Sequence, residues 1–160
     1  EPTKLLGVVE DGRMIPARLS LSAQANRVPV VDGHLASVSV KLGRRVSADA
    51  AIAALRAWQP PAITAQLPSS PKELLIYREE PDRPQPRRDR DAGDWLAWTV
   101  GKVRECPVLD VRYVSLTHNT LRGAASGALL NAELLVVQGF IGRDLAISSN
   151  GHQPAAAHTF

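Results

Sequence analysis

Arg27 and His34 stand seven residues apart in Arg27-Val-Pro-Val-Val-Asp-Gly-His34, and the two types together suit proton transfer on an anionic substrate. A guanidinium is a planar fork that matches a carboxylate or phosphate and stays charged. Imidazole titrates near neutrality and is the commonest general acid–base in enzymes. Three further clusters carry chemistry-bearing groups. Glu1 and Lys4 place a carboxylate and an ammonium one helical turn apart, which alone reads as a solvated surface pair. Asp82 to Asp91 alternates Asp with Arg and reads as self-neutralising ion pairs that stiffen a loop rather than as ligand contacts. His118-Asn119-Thr120 opens a glycine- and alanine-rich helix, where free N–H groups attract anions or the same side chains act as caps; both readings stay open.

The elements that must position these groups follow from periodicity. Glu10-Asp11-Gly12 is a turn, and Ile15 to Ala23 alternates imperfectly and predicts a strand. Val28, Val30 and Val31 favour extended backbone, Pro29 excludes helix, and Asp32-Gly33 turns the chain into His34. From Leu35 to Leu42, Val38, Val40 and Leu42 alternate with Ser37, Ser39 and Lys41, the pattern of a half-buried strand. Ser47 offers an N-cap to a helix over Ala48–Trp58, with Ala51, Ile52, Leu55 and Trp58 as its apolar stripe and Gln59-Pro60-Pro61 as its stop. Leu74 to Tyr77 predicts a short strand. The prolines and charges of Glu79 to Gly93 predict a long surface loop that contributes nothing to a core. Strands over Trp95–Val103 and Val111–Leu116 follow, then a helix from Leu121 to Gln138 with Leu129, Leu130, Leu134 and Leu135 as its buried side. The order predicts an α+β fold, a mixed and mostly antiparallel sheet with helices packed on one face.

Composition narrows the function. At 160 residues the chain suits one domain, and 44% hydrophobic with 22% charged residues is ordinary for a globular protein. The net charge of +3 is weak, and the Arg excess concentrates at Arg83 to Arg90, where it alternates with Asp and Pro rather than forming a nucleic-acid stripe along a helix. A single cysteine, Cys106, allows no intrachain disulfide and fits a reducing compartment; its sequence neighbours offer nothing to activate it as a nucleophile. No zinc spacing, dinucleotide fingerprint, P-loop or serine-hydrolase elbow is present, and no apolar run is long enough to cross a membrane. No signal peptide is visible, and the absence of an initiating Met suggests a processed chain or the later part of a longer one.

The clusters occur together, in order, in one family. The chain resembles the C-terminal part of aspartate-semialdehyde dehydrogenases of the archaeal and fungal branch. The resemblance rests on Glu1-Pro-Thr-Lys4-Leu-Leu-Gly7, Asn26-Arg27 through His34 to Val40, and Asp82-Arg-Pro-Gln-Pro-Arg87 with Asp89-Arg-Asp-Ala-Gly93. It continues in His118-Asn-Thr120 and in Arg122-Gly-Ala-Ala125 running to Asn131-Ala-Glu-Leu-Leu135. It implies reduction of aspartyl 4-phosphate with NADPH, in the pathway to lysine, threonine and methionine. By position, His34 matches the family's acid–base, Arg27 the grip on the substrate carboxylate, Lys4 the lysine near the phosphate, Glu1 the substrate-orienting carboxylate and Asn119 the asparagine near the nicotinamide.

The implied organisation is a substrate-binding and dimerisation domain over 1–116, a helix over 117–147 that in the family returns to the dinucleotide-binding domain, and a flexible tail over 148–160. NADP would be bound mainly by an N-terminal half, with its Gly-rich loop and nucleophilic cysteine, that this sequence does not contain. A cytoplasmic location follows, with a small-molecule substrate, no membrane or nucleic-acid partner, and assembly either with itself or with a chain that supplies that half. The chain departs from the family at Ala25, where relatives often carry a second cysteine, at Leu35 and Ala36 in place of a Thr-Glu pair, and at Trp95 and Trp98. These departures keep two alternatives open: a non-catalytic scaffold or binding protein on the same fold, and a related acyl-phosphate or acyl-CoA reductase.

Overall fold

The computed structural model describes residues 2–142; the expected tail and Glu1 lie outside them. The chain opens with one helical turn, α1 (Pro2–Leu5), and a hairpin of β1 (Val8–Glu10) and β2 (Arg13–Ile15) turned by Asp11-Gly12. The strand expected over Ile15–Ala23 is not formed. The sheet ends at Ile15, Pro16 supplies no N–H to continue it, and residues 16–33 run without regular structure. The extended piece over Arg27–Val31 likewise pairs with no strand among the described residues, and its backbone bond runs locally, from Val30 N–H to the Val28 carbonyl at 2.8 Å.

The main sheet has four strands: β3 (His34–Val40), β4 (Leu75–Arg78), β5 (Trp98–Glu105) and β6 (Val111–Thr117), in the order β3-β6-β5-β4. Pairing is antiparallel except between β4 and β5, so the fold is α+β with a mixed sheet. The alternation read in β3 is real: Val38 and Val40 are half-buried and Ser37 and Ser39 exposed. The central strands carry the core, where Val100, Val111 and Leu116 are buried with Leu96 and Ala97.

Helix α2 (Ala48–Ala57) forms where its cap and stripe place it, with Ser47 Oγ accepting the Ala50 N–H at 3.2 Å. It packs on β4 and β5, with the Arg56 guanidinium 5.2 Å over the Tyr77 ring and ion-paired to Glu79. A 3-10 turn follows over Ala62–Gln66.

The segment after β4 corrects the surface-loop expectation. Parallel neighbours cannot be joined by a tight turn, so the chain between Arg78 and Trp98 must cross a sheet face. It does so through the short helix α3 (Pro86–Asp89), and its Asp89 becomes one of the most buried residues, 2% exposed. The Asp89 carboxylate accepts from Arg78 Nε at 3.0 Å, from Arg83 Nε at 2.6 Å and from the Gln85 N–H at 2.7 Å. Burial pushes the Asp89 pKa up; the Arg83 hydrogen bond, the Gln85 N–H and the two cations outweigh it and hold the carboxyl below its usual range.

The last helix also differs from expectation. It begins as a π-helical segment over Leu121–Ala125 and continues as α4 (Ser126–Val137). Leu130 is buried, but Leu129 and Leu135, expected inside, are 51% and 40% exposed. One anchor is Glu133, which accepts from Ser69 Oγ at 2.6 Å and Ser69 N–H at 3.1 Å. Among the described residues no helix is long and apolar enough to cross a membrane.

Candidate active site

His34 is the first residue of β3 and pairs with Thr117, so its orientation is set by the sheet and by the turn before it. Gly33 makes that turn with φ +109°, a conformation that favours glycine. A Cβ on Gly33 would lie 3.2 Å from Leu116 Cδ1 and 3.4 Å from Pro86 Cβ, with Arg90 Cβ beyond at 3.7 Å. The Gly33 N–H donates to Asn119 Oδ1 at 2.7 Å, a bond between residues 86 positions apart in the chain. Thr120 Oγ1 closes the same turn with a longer contact to Asp32 Oδ1, 3.4 Å. Three separated motifs thus meet at one glycine: the Asp32-Gly33-His34 turn, α3 of the Asp/Arg-rich segment, and His118-Asn119-Thr120.

Of the last motif, only the His118 side chain caps the helix start; those of Asn119 and Thr120 bond the turn before His34. His118 is buried; its Nδ1 accepts the Leu121 N–H at 3.2 Å and its carbonyl accepts from Gly123 at 3.0 Å. The Thr120 carbonyl takes the Ala125 N–H at 3.0 Å. These bonds consume N–H groups that an anion would need.

His34 itself is exposed. Register places it directly opposite Thr117. Thr117 Oγ1 is buried with no hydrogen-bond partner among the described residues. The place of Thr117 beside His34 depends on strand register, which the sequence does not reveal.

Arg27 and Lys4 are not brought to His34 by any hydrogen bond or ion pair among the described residues. Arg27 is exposed on the irregular segment before Gly33, Lys4 is exposed on α1, and Glu1 lies outside the described residues. Two cavities, of about 270 and 220 Å³, are lined by neither Arg27 nor His34. No group of His, Cys, Asp and Glu suited to a metal ion occurs among the described residues.

Cys106 is held by the turn that follows it: the Leu109 and Val108 N–H groups, the first at 3.4 Å from Sγ, lower its pKa and outweigh burial, with help from the Ser39 hydroxyl and the Arg112 charge. It remains buried at the far end of β5, where Asp110 joins Val40. Seven residues of β3 separate that end from His34, about 20 Å at the rise of a strand. Cys106 is therefore no partner for the imidazole.

Residues 1–122 match the model of the semialdehyde dehydrogenase dimerisation domain. The chain belongs to that family. Within it, the chain is 45% identical over 141 residues to an aspartate-semialdehyde dehydrogenase of Archaeoglobus fulgidus, covering 88% of this chain and 40% of the relative. It is 38% identical to the Cryptococcus neoformans enzyme of the same name, with the same coverage of 88% and 40%. Among solved structures it superposes on the Candida albicans aspartate-semialdehyde dehydrogenase with NADP at a TM-score of 0.77 and 37% identity, covering 87% of this chain and 41% of that one. This semialdehyde dehydrogenase dimerisation-domain chain thus spans about 40% of the length of these curated relatives.

Proposed function

We propose that this chain is the substrate-binding and dimerisation portion of an NADP-dependent aspartate-semialdehyde dehydrogenase, acting in the cytoplasm as part of a homodimer. The full enzyme would reduce aspartyl 4-phosphate to aspartate semialdehyde, releasing phosphate. Activity requires a nucleotide-binding portion with the nucleophilic cysteine, on the same polypeptide or another. Within this reading, residues 1–116 form the substrate and dimerisation domain, and the helix from 117 returns to the nucleotide domain.

The observation that carries the reading is the clasp at Gly33. It holds the imidazole-bearing strand, α3 and Asn119 in one arrangement, and these are the segments that carry the family resemblance. His34, exposed at a fixed strand end, is placed to give and take the proton as the acyl carbon passes through its tetrahedral stage. Arg27 would hold the substrate carboxylate through two parallel bonds, and Lys4 would neutralise the phosphoryl group, with Glu1 orienting the substrate. Bound NADPH supplies the hydride. The residues here fit only its nicotinamide end: Asn119 has its oxygen committed to Gly33 and keeps Nδ2 as a donor for a carboxamide oxygen. The phosphates of the cofactor find no glycine-rich loop in this sequence. The exposed Leu129, Leu135, Val136 and Phe140 supply apolar surface for the nucleotide domain to cover.

The test is reconstitution. The chain alone should show no NADP-dependent turnover, and combination with a nucleotide-binding portion should restore it. His34→Ala in the combined enzyme should lower kcat by about 10²–10⁴-fold. Undiminished turnover in His34→Ala would remove the imidazole from the mechanism. A folded assembly that binds neither aspartate analogues nor phosphate would leave a scaffold.

A further inference from the structure

We propose a second anion site, on the sheet face opposite His34, that takes a phosphate-class oxyanion between Arg104, Arg112 and Lys102. In register, Ser39 of β3 faces Arg112 of β6, which faces Arg104 of β5, so the three share one face. Along β3 this is the odd-numbered face, whereas His34 lies on the even-numbered one. The site is therefore separate from the one carrying the proposed acid–base.

Two like charges directly opposite one another on neighbouring strands destabilise a sheet. Here the sheet is adjusted to create that opposition. A β-bulge between Gly101 and Arg104 inserts one extra residue in β5, and Lys102 within it adopts φ +54°. Without the bulge, Val103 would face Arg112. Bulges of this kind re-aim side chains and occur beside functional sites. The three cations line an open-mouthed cavity of about 220 Å³ together with Ser37, Ser39 and Val114, which share that face in register. That volume exceeds a bare phosphate and leaves room for water or a small organic substituent.

None of the three cations forms an ion pair among the described residues. Arg112 Nε is shut off from solvent and has no hydrogen-bond partner there. The carboxylates nearest in sequence do not compensate: neither Asp110 nor Glu105 lines the cavity, and Asp110 is occupied with the Leu42 N–H at 2.7 Å. A desolvated guanidinium nitrogen without an acceptor is costly, and charge-assisted bonds to a tetrahedral oxyanion would offset both that cost and the cation–cation repulsion.

The test is a titration of the folded chain with inorganic phosphate at constant ionic strength, followed by amide chemical shifts. The expected result is saturable shifts at Ser37, Ser39, Lys102, Arg104 and Arg112. Arg104→Met should weaken this binding about tenfold or more, and Lys4→Met should leave it unchanged. Because Arg104 is exposed, Arg104→Met should fold, and Arg112→Lys, which keeps charge but loses the fork, should weaken binding as a second variant. Shifts confined to the Lys4–His34 region would overturn this site while supporting the proposed function. An equal response in Arg104→Met would overturn it, as would shifts that follow protein concentration rather than phosphate, which would make a second copy the occupant.

Discussion

Replacing Asp89 by Asn keeps the volume and removes the charge, which makes it a direct probe of what holds α3 over the sheet. The Asp89 side chain is fully buried, while those of Arg83 and Arg78 are 14% and 30% exposed. Its carboxylate receives donors from both arginines and from the Gln85 backbone. Asparagine would turn an NH₂ toward at least one of those donors, leaving Arg78 with no counter-charge among the described residues and Arg83 with only Glu80, at 3.9 Å. Breaking a buried pair in this way costs about 3–5 kcal/mol. At about 2–4 °C per kcal/mol for a chain of this size, thermal unfolding should shift down by roughly 6–20 °C. Asp82→Asn is the matched control: the Asp82–Arg88 pair is 56% and 58% exposed, so its loss should cost less than about 1 kcal/mol.

The pH dependence has a definite sign. The folded Asp89 pKa lies below the unfolded value of about 3.9, so the unfolded chain binds the proton more readily. The contribution of Asp89 is complete above that value and is lost as pH falls through the lower folded one. Thermal melts by circular dichroism between pH 7 and pH 2 measure both effects. A shift under about 2 °C in Asp89→Asn at pH 7, or an acid limb unchanged from the wild type, would refute the argument.

Asn119→Ala should cost about 1–2 kcal/mol in urea unfolding, because the Gly33 N–H loses its acceptor in a part-buried turn. Gly33→Ala should destabilise by about 1–3 kcal/mol, from φ +109° and the close approach of Leu116 and Pro86, and the His34 ring resonances should move in its NMR spectrum. Ser47→Ala should cost about 1 kcal/mol without altering the His34 resonances, since it only uncaps α2. In reconstituted enzyme, Arg27→Lys should raise KM for the acyl phosphate more than it lowers kcat, because an ammonium cannot form two parallel bonds to a carboxylate.

Local rules made much of the sheet legible. Alternation located β3, β5 and β6 to within a few residues, and Ser47 with Pro60 bounded α2, because in each case side-chain period and cap chemistry act within the segment itself. The misreadings arise where tertiary geometry decides. Residues 16–33 carry alternating Leu19 and Leu21 and β-favouring Val28 and Val30, yet all four are exposed and none pairs with a strand among the described residues. The Asp/Arg-rich segment has a surface composition, but parallel pairing of β4 and β5 drives it across the sheet, and nothing in the alternation singles out Asp89 as the buried carboxylate. The chemistry of the candidate site was readable as residue types. Its assembly at Gly33 was not, since a bond spanning 86 positions leaves no periodic trace. Arg112 and Arg104 gave no signal either, because their opposition depends on a one-residue bulge.

The two halves of the Arg27–His34 stretch are held very differently, and this has a thermodynamic consequence. The imidazole end is fastened by Gly33 and Asn119 before any substrate arrives, whereas around Arg27 the hydrogen bonds among the described residues run only between near neighbours, Gln24 to Asn26 and Val30 to Val28. Under the proposed function, occupancy by the acyl phosphate would be discounted by the fraction of time Arg27 spends in its gripping pose. If that fraction is about one-tenth, apparent affinity falls tenfold, close to 1.4 kcal/mol. A neighbouring protein surface that steadied residues 16–31 would recover it, so assembly alone would sharpen recognition of the metabolite without adding a single new contact to it.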